Sequence, residues 1–275
     1  MVFNHAFLCI YNLIIHKIII CRRVNDFTEV KTLKYIAALT GLILALHPVS
    51  ISALSTTPHG YGQGKITDQY NRPIDAVNFN SSYCKYDAYA LSEDDNGIIL
   101  TFDQGYENGY TSQILDTLKE KNVHAIFFLT GDYAKKETEL VERMIKEGHT
   151  LGNHGMKHQS FPKINEKDLI TEISSLHEYV LDKYNYEMQY LRPPCGEYSE
   201  ESLRITKELG YKTIMWSFAY VDWKTDAQPD PDLSLKQAVS SSHGGGIYLL
   251  HSVSETNSKI LGNLIDELRA KGYQL

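Results

Sequence analysis

The amino-acid sequence predicts an α/β fold of the barrel type, in which parallel strands alternate with helices. From residue 98 onward, short apolar runs rich in β-branched and aromatic residues alternate with amphipathic helical patterns. Polar residues with chemically active side chains follow several of these strands, as they do where the strands of a barrel converge. The chain has 275 residues, and one barrel domain uses about 200 to 250. An open, doubly wound sheet is the alternative, because periodicity alone does not distinguish the two folds.

Residues 1–55 are predicted to be a signal peptide or membrane anchor that lies outside the folded domain. A basic segment at 31–34 precedes an apolar run at 35–46, which is the order found in a secretory signal. The apolar run is shorter than the roughly 20 residues that a membrane span needs, so cleavage is favoured. We expect translation to begin near Val30, which would make residues 1–29 an over-extended start; a second hydrophobic anchor at 7–21 is the alternative.

Residues 56–97 are rich in Gly, Pro, Asn, Asp and Ser, and we expect them to form an extended lead-in that covers the domain at 98–275. The four cysteines, Cys9, Cys21, Cys84 and Cys195, form no C-x-x-C pair. A zinc ribbon and a thioredoxin-like motif are therefore excluded, and no disulfide framework is implied.

Six strands are predicted, at residues 98–102, 125–130, 150–153, 190–192, 213–217 and 247–251. Six helices are predicted between and after them, at 109–121, 137–147, 166–184, 200–209, 233–243 and 259–271. The third helix shows the helical period most clearly. The residues predicted to share one face are Leu169, Ile170, Ile173, Leu176, Val180 and Leu181.

Two charged residues at strand ends are candidates for chemistry. Asp103 ends the first predicted strand, where a carboxylate either caps the next helix or serves a site. Arg192 follows the fourth strand and precedes two prolines that fix a rigid turn. The arginine is therefore either structural or placed to hold a carboxylate with two hydrogen bonds.

Histidines follow two other strands. His154 and His158 are spaced i and i+4, so a helical turn would put both imidazoles on one side, where they could share a metal ion. Such a spacing also arises by chance. His251 ends the last strand, where a lone histidine is more often a satisfied polar group, and the pair Asp222-Trp223 could be a simple turn. Each structural explanation is adequate alone, but the whole set at strand ends favours a catalytic site.

Five ordered motifs resemble those of the polysaccharide deacetylases, the NodB-homology domain of carbohydrate esterase family four. They are Thr-Phe-Asp-Gln-Gly at 101–105, His-Gly-Met-Lys-His at 154–158, Arg-Pro-Pro-Cys-Gly at 192–196, Asp-Trp at 222–223 and Leu-Leu-His at 249–251. The match extends over residues 85–275 in order and spacing, and the longer stretches look most like delta-lactam-biosynthetic de-N-acetylases. The resemblance implies a deformed (β/α) barrel that removes acetyl from N-acetylmuramic acid in the peptidoglycan of spore-forming bacteria.

The resemblance also implies a role for each residue. Asp103 would take a proton from the attacking water, Arg192 would hold Asp103 ionised, and His251 would protonate the departing amine. A divalent ion, expected to be zinc, would be held weakly by His154, His158 and Gln104. The residues expected to contact the substrate are Tyr106, Cys195, Asp222 and Trp223, with a backbone N–H near Cys195 as an oxyanion donor.

The chain departs from the family pattern at four positions. Gln104 replaces an aspartate that is a metal ligand, so the ion is expected to bind weakly. Ala219 replaces an acid, which predicts that His251 lacks a carboxylate to tune it. Gly155 stands for the usual threonine or serine, and Cys195 for the usual tyrosine.

Two other functions remain open from the sequence. An N-acetylglucosamine or chitooligosaccharide deacetylase would share every catalytic residue, and a non-catalytic glycan-binding relative would keep the cleft alone. A nucleic-acid binder is excluded, since the net charge is -7 and such proteins carry a basic face. We expect a monomer that acts on peptidoglycan glycan strands outside the cytoplasm, either secreted or membrane-associated, in the cell wall or spore envelope.

Overall fold

The computed structural model describes residues 54–275. The predictions for a signal or anchor before residue 54, and for a start near Val30, therefore lie outside the described residues. Among residues 54–275, no helix is both long enough and apolar enough to span a membrane.

Parallel strands form the centre of the domain. Within residues 54–275 the strands are β1 (His59–Gly60), β2 (Ala88–Tyr89), β3 (Ile98–Gln104), β4 (Ile126–Leu129), β5 (Thr150–Asn153), β6 (Tyr190–Leu191), β7 (Glu197–Tyr198), β8 (Lys212–Ile214) and β9 (Gly246–His251). Seven of them make one parallel sheet in the order β2-β8-β6-β5-β4-β3-β9, while β1 and β7 form a separate antiparallel pair. Because the strands run parallel, their C-terminal ends lie at one edge of the sheet.

Helices connect the strands and cover the sheet. In the described part of the chain they are α1 (Ile74–Tyr83), α2 (Thr111–Glu120), α3 (Gly131–Lys136), α4 (Thr138–Lys146), α5 (Glu166–Tyr184), α6 (Glu200–Glu208), α7 (Pro231–Ser240) and α8 (Glu255–Ala270). Helix α5 has the predicted bounds. Asn165 caps its N-terminus, because the Asn165 side chain accepts a hydrogen bond from the backbone N–H of Asp168. Asn185, which has a left-handed backbone, caps its C-terminus.

The sheet curls into a barrel. After β8 the chain moves away from β2, and Phe218 forms a parallel bridge with Tyr248 of β9. The backbone N–H of Ser217 donates to the Ile247 carbonyl oxygen at 2.9 Å, so the two ends of the sheet are joined. This contact confirms the predicted barrel over the open sheet.

The prediction of an extended lead-in at 56–97 is wrong for much of that segment. Helix α1 buries Ala76 and Phe79 in the core, and β2 pairs with β8 inside the main sheet. Pro73 is the residue immediately before α1, where its lack of an N–H costs no helical hydrogen bond. The composition concealed these elements because α1 is rich in Asn and Ser, and β2 has only two residues.

Candidate active site

A cavity of about 840 Å³ opens at the C-terminal ends of the strands. Its walls include four of the residues that the motifs predict for catalysis and metal binding, Asp103, His154, His158 and His251. Strand register explains why they meet. Asp103 of β3 lies opposite His251 of β9, and His154 directly follows β5, whose last residue, Asn153, lies opposite Leu129 of β4.

Arg192 holds the carboxylate of Asp103. The guanidinium is fully buried, and its Nη1 donates to Asp103 Oδ1 at 2.7 Å and to Thr101 Oγ1 at 2.9 Å. Its other nitrogens donate to the carbonyl oxygens of Ile214 and Met215, each at 3.0 Å, which fixes the side chain against the end of the neighbouring strand β8. Burial opposes ionisation of Asp103, but the positive charge of Arg192 holds the pKa of this carboxyl below its usual value.

The two predicted metal ligands lie side by side, although not on a helical turn. Residues 154–158 form a loop after β5, and His158 has a left-handed backbone with φ of 57°. The ring centroids of His154 and His158 are 4.8 Å apart. The prediction of a shared helical turn is therefore wrong, but the loop achieves the same proximity.

The backbone carbonyl of Arg192 orients the ring of His154. Its Nδ1 donates to the carbonyl oxygen of Arg192 at 2.8 Å, which leaves Nε2 facing Asp103 Oδ2 at 3.5 Å. Burial lowers the pKa of His154 to about 4, so the ring is neutral at neutral pH. A neutral imidazole with its second nitrogen hydrogen-bonded to a carbonyl is the usual arrangement of a metal-ligating histidine.

Glu172 of α5 fixes the loop that carries both histidines. Its Oε1 accepts from the backbone N–H groups of Lys157 at 2.7 Å and Gln159 at 3.2 Å, and its carbonyl oxygen accepts from Met156 N–H at 3.0 Å. No motif in the sequence marks Glu172. The signal that could have identified it is a glutamate among the apolar residues on the buried face of α5.

The structure does not bring Gln104 to the two histidines. Its Nε2 donates to Ser252 Oγ at 2.5 Å, just after β9, whereas His154 follows β5 on the other side of β3. The side chain is fully buried, and its Oε1 has no hydrogen-bond partner within residues 54–275. In this arrangement Gln104 does not serve as the predicted third ligand, because successive side chains of a strand point to opposite faces and Asp103 takes the cavity face.

His251 has a carboxylate partner, contrary to the prediction drawn from Ala219. Asp222 Oδ1 accepts from His251 Nδ1 at 2.7 Å, and Oδ2 accepts from the backbone N–H of His251 at 2.8 Å and from Asn257 Nδ2 at 2.6 Å. Burial favours the neutral ring, but the hydrogen bond and charge of Asp222 outweigh it and raise the pKa of His251. Asp222 is fully buried, so it supports His251 and does not contact substrate as predicted.

Three of the residues predicted to contact substrate do line the cavity. Tyr106 and Trp223 are 53% and 45% exposed, and the ring of Trp223 lies 5.4 Å from that of His251. Cys195 sits in the turn after Arg192 with a φ of 59° and is exposed. Gln63, which the sequence analysis placed in the lead-in, also lines the cavity and accepts a hydrogen bond from Trp216 Nε1 at 2.8 Å.

Two protein ligands, the imidazoles of His154 and His158, are suited to bind a divalent ion. His154 is buried and His158 is at the surface of the cavity, and desolvation lowers the pKa of each ring, so both offer lone pairs. Within the described residues, no group of three or more His, Cys, Asp or Glu side chains is arranged to hold a metal ion. Two imidazoles leave coordination positions open to water and substrate.

The chain is similar to known deacetylases. The profile of the polysaccharide deacetylase family matches residues 91–214. Peptidoglycan-N-acetylmuramic acid deacetylase PdaA of Bacillus subtilis is 38% identical over 84% of this chain and 89% of its own length. A peptidoglycan-N-acetylglucosamine deacetylase of Bacillus cereus is 34% identical over 67% and 68%. The solved structure of Bacillus subtilis PdaA, a family 4 carbohydrate esterase, superposes with a TM-score of 0.76 over 80% of this chain and 95% of that one.

Proposed function

This chain belongs to the polysaccharide deacetylase family of hydrolases, and we propose that it removes the acetyl group from N-acetylmuramic acid in peptidoglycan. The products are acetate and a free amine on the sugar. The similarity to PdaA supports this substrate, since it extends over most of both chains. We further propose that the reaction serves the formation of muramic delta-lactam in the spore cortex.

The observation that carries the proposal is a base and an acid held in opposite protonation states on neighbouring strands. Asp103 and His251 lie opposite each other in the β3–β9 register and both line the cavity. Arg192 keeps Asp103 ionised, while Asp222 favours the protonated form of His251. Hydrolysis of an amide needs this combination, because one group must accept a proton from water and another must give one to the leaving nitrogen.

Asp103 accepts the proton of the attacking water in the proposed mechanism. Its Oδ1 is occupied by Arg192, so Oδ2 is the oxygen available to the water. Protonated His251 delivers a proton to the sugar nitrogen as the C–N bond breaks, and Asp222 stabilises the charged ring until then. When bound at His154 and His158, a divalent ion, for which we propose zinc, supplies Lewis acidity to the acetyl carbonyl.

The remaining cavity residues are proposed to position the sugar. Trp223 and Tyr106 present exposed aromatic faces at the rim, which suit the apolar face of a pyranose ring. The backbone N–H of Cys195 is a candidate donor to the oxyanion of the tetrahedral intermediate. Gln63 also lines the cavity, where its amide is fixed by Trp216 and by the carbonyl oxygen of Ala219.

An N-acetylglucosamine deacetylase is the second candidate, since one relative that matches two thirds of this chain bears that name. A non-catalytic glycan-binding relative is disfavoured because Asp103, His154, His158 and His251 all face one cavity. We propose that the enzyme works as a monomer on glycan strands outside the cytoplasm, secreted or membrane-associated. The proposed domain division keeps residues 1–55 as a signal or anchor. The deacetylase domain, proposed at 98–275, also takes in α1 and β2 of the segment 56–97.

Digestion of purified peptidoglycan tests the proposed function. The glycan is treated with the protein, cut to disaccharides and analysed by mass spectrometry for the sugar that has lost acetyl. We expect loss from N-acetylmuramic acid and none with the matched variant Asp103→Asn. Loss from N-acetylglucosamine alone would favour the second candidate, and no loss from either sugar would contradict a deacetylase.

A further inference from the structure

Within residues 54–275, one lysine lines the cavity. Among the cavity-lining residues that the structure describes, Lys157 alone is a lysine or arginine. Its position between Met156 and His158 is fixed, because Glu172 Oε1 accepts from the backbone N–H of Lys157 at 2.7 Å. The stem of Lys157 therefore starts from a constrained point beside the two histidines, while its ammonium group is free to rotate.

The acidic residues around the cavity are already neutralised by other partners. Asp103 is paired with Arg192 at 2.7 Å, and Asp132 is paired with Lys136 at 2.9 Å. Within residues 54–275, Lys157 takes part in none of the salt bridges near the cavity. Its charge is therefore available to a ligand in the cavity.

We propose that Lys157 selects the substrate by pairing with the lactyl carboxylate of N-acetylmuramic acid. This inference rests on the proposed function and names the residue that would give it its specificity. The two amino sugars of peptidoglycan carry the same acetamido group, so the catalytic residues cannot distinguish them. They differ in the lactyl ether, which adds a carboxylate beside the reacting group where no peptide is attached, and a lysine at the cavity wall without a salt-bridge partner within residues 54–275 attracts that anion.

The contact is expected to act on recognition and not on the chemical step. A partly exposed ion pair contributes modestly, so loss of Lys157 should reduce kcat/KM for the muramyl substrate by about tenfold, mainly through KM. The effect should weaken at high ionic strength because salt screens exposed charges. Arginine at this position keeps the charge, so Lys157→Arg should retain most of the preference.

The test compares two soluble oligosaccharides of equal length, one containing N-acetylmuramic acid with a free lactyl carboxylate and one made of N-acetylglucosamine. Release of acetate by the full chain, Lys157→Met and Lys157→Arg is measured on both. Lys212→Met is the control, since Lys212 is exposed at the start of β8, at the opposite end of the strands. We expect Lys157→Met to lose about tenfold on the muramyl substrate and to be unchanged on the other.

Three results would overturn the inference. Equal losses on both substrates would assign Lys157 to structure or chemistry, and an unchanged muramyl preference would show that the carboxylate is recognised elsewhere. Failure of Lys157→Arg to restore the preference would show that charge is not what matters. A wild-type protein that prefers the N-acetylglucosamine substrate would instead contradict the proposed function, so the two failures are distinguishable.

Discussion

Asp222 and His251 form a buried pair in which the carboxylate accepts both the ring N–H and the backbone N–H of the histidine. The second contact fixes the backbone at the end of β9 as well as the ring. Asn257 donates to the remaining lone pairs of Asp222 at 2.6 Å. The carboxylate is therefore held by three donors, and its charge raises the pKa of His251 without an acid at position 219.

Asp222→Asn should move the pH dependence of kcat. The raised pKa of His251 keeps the ring protonated above its ordinary value of 6.5, so activity should decline only as the pH rises through the raised value. Without the negative charge the pKa falls, so the alkaline limb should shift to lower pH and kcat at neutral pH should fall about tenfold or more. A pH–rate profile measures the shift, with the exposed Asp226→Asn as control. An unmoved limb would show that Asp222 does not tune His251.

Asp103→Asn should reduce the deacetylase rate by about 10²-fold or more because an amide cannot accept the proton of the attacking water. It should also lower the free energy of unfolding by about 3 kcal/mol, since Arg192 remains buried without its carboxylate. Urea unfolding and acetate release measure the two effects. Asp116→Asn, which removes an exposed partner of Arg143, is the control and should cost less than about 1 kcal/mol. A folded Asp103→Asn protein with near-normal activity would reject the base assignment.

The protein should bind zinc weakly, and its zinc affinity should depend on the two histidines but not on Gln104. His154→Gln should abolish binding because one of two imidazole ligands is lost. Gln104→Leu should leave the affinity within about twofold, since the amide faces Ser252 and not the histidines. Titration calorimetry with zinc on the three proteins measures these affinities. Equal weakening by both substitutions would mean that the glutamine side chain turns to the metal, as the sequence predicted.

Stability should fall in mild acid through His149. The ring is buried, Nδ1 accepts from Ala125 N–H at 3.2 Å, and burial lowers its pKa to about 4. Between pH 6.5 and about 4 the unfolded chain binds a proton that the folded chain does not, which costs about 1.4 kcal/mol per pH unit. His149→Asn keeps an acceptor near Nδ1 and should make this slope shallower by that amount. Urea unfolding across this range is the measurement, with the exposed His59→Asn as control. Equal slopes in both variants would contradict the assignment.

The sequence predicted those parts of the fold that carry strong local signals. The bounds of α5 and β5 are as predicted because the first has a long apolar stripe and a cap, and the second a short apolar run between turns. Helix α8 begins at Glu255, four residues before the predicted start, since Ser254 caps a polar first turn that periodicity does not detect. The strand predicted at 213–217 ends at Ile214 in the structure, because the chain then leaves β2 and pairs with β9 at Phe218. This change of partner depends on the tertiary structure and has no local sequence signal.

Residues of the site could be predicted from the sequence where their position along a strand brings them to the cavity. Asp103 and Arg192 each stand at a strand end, and the sheet brings those ends together. The function of Asp222 was not predictable, because the direction of a loop carboxylate depends on its packing against Asn257 of α8. The direction of Gln104 was available from the two-residue period of a strand, since Asp103 already occupies the cavity face.

The pairing at the two ends of the domain sets the order in which this chain can fold. The backbone N–H of Ile98 donates to Gln274 at 2.9 Å, and Gln274 N–H donates to Asn96 at 2.9 Å. The N-terminal end of β3, the strand that bears Asp103, is therefore completed by the penultimate residue of the chain. Contacts between residues so distant in sequence form late in folding, because closing a long loop costs conformational entropy before any contact offsets it. Until Gln274 docks, that end of β3 stays open, so the edge of the strand that bears the catalytic aspartate is completed late in folding.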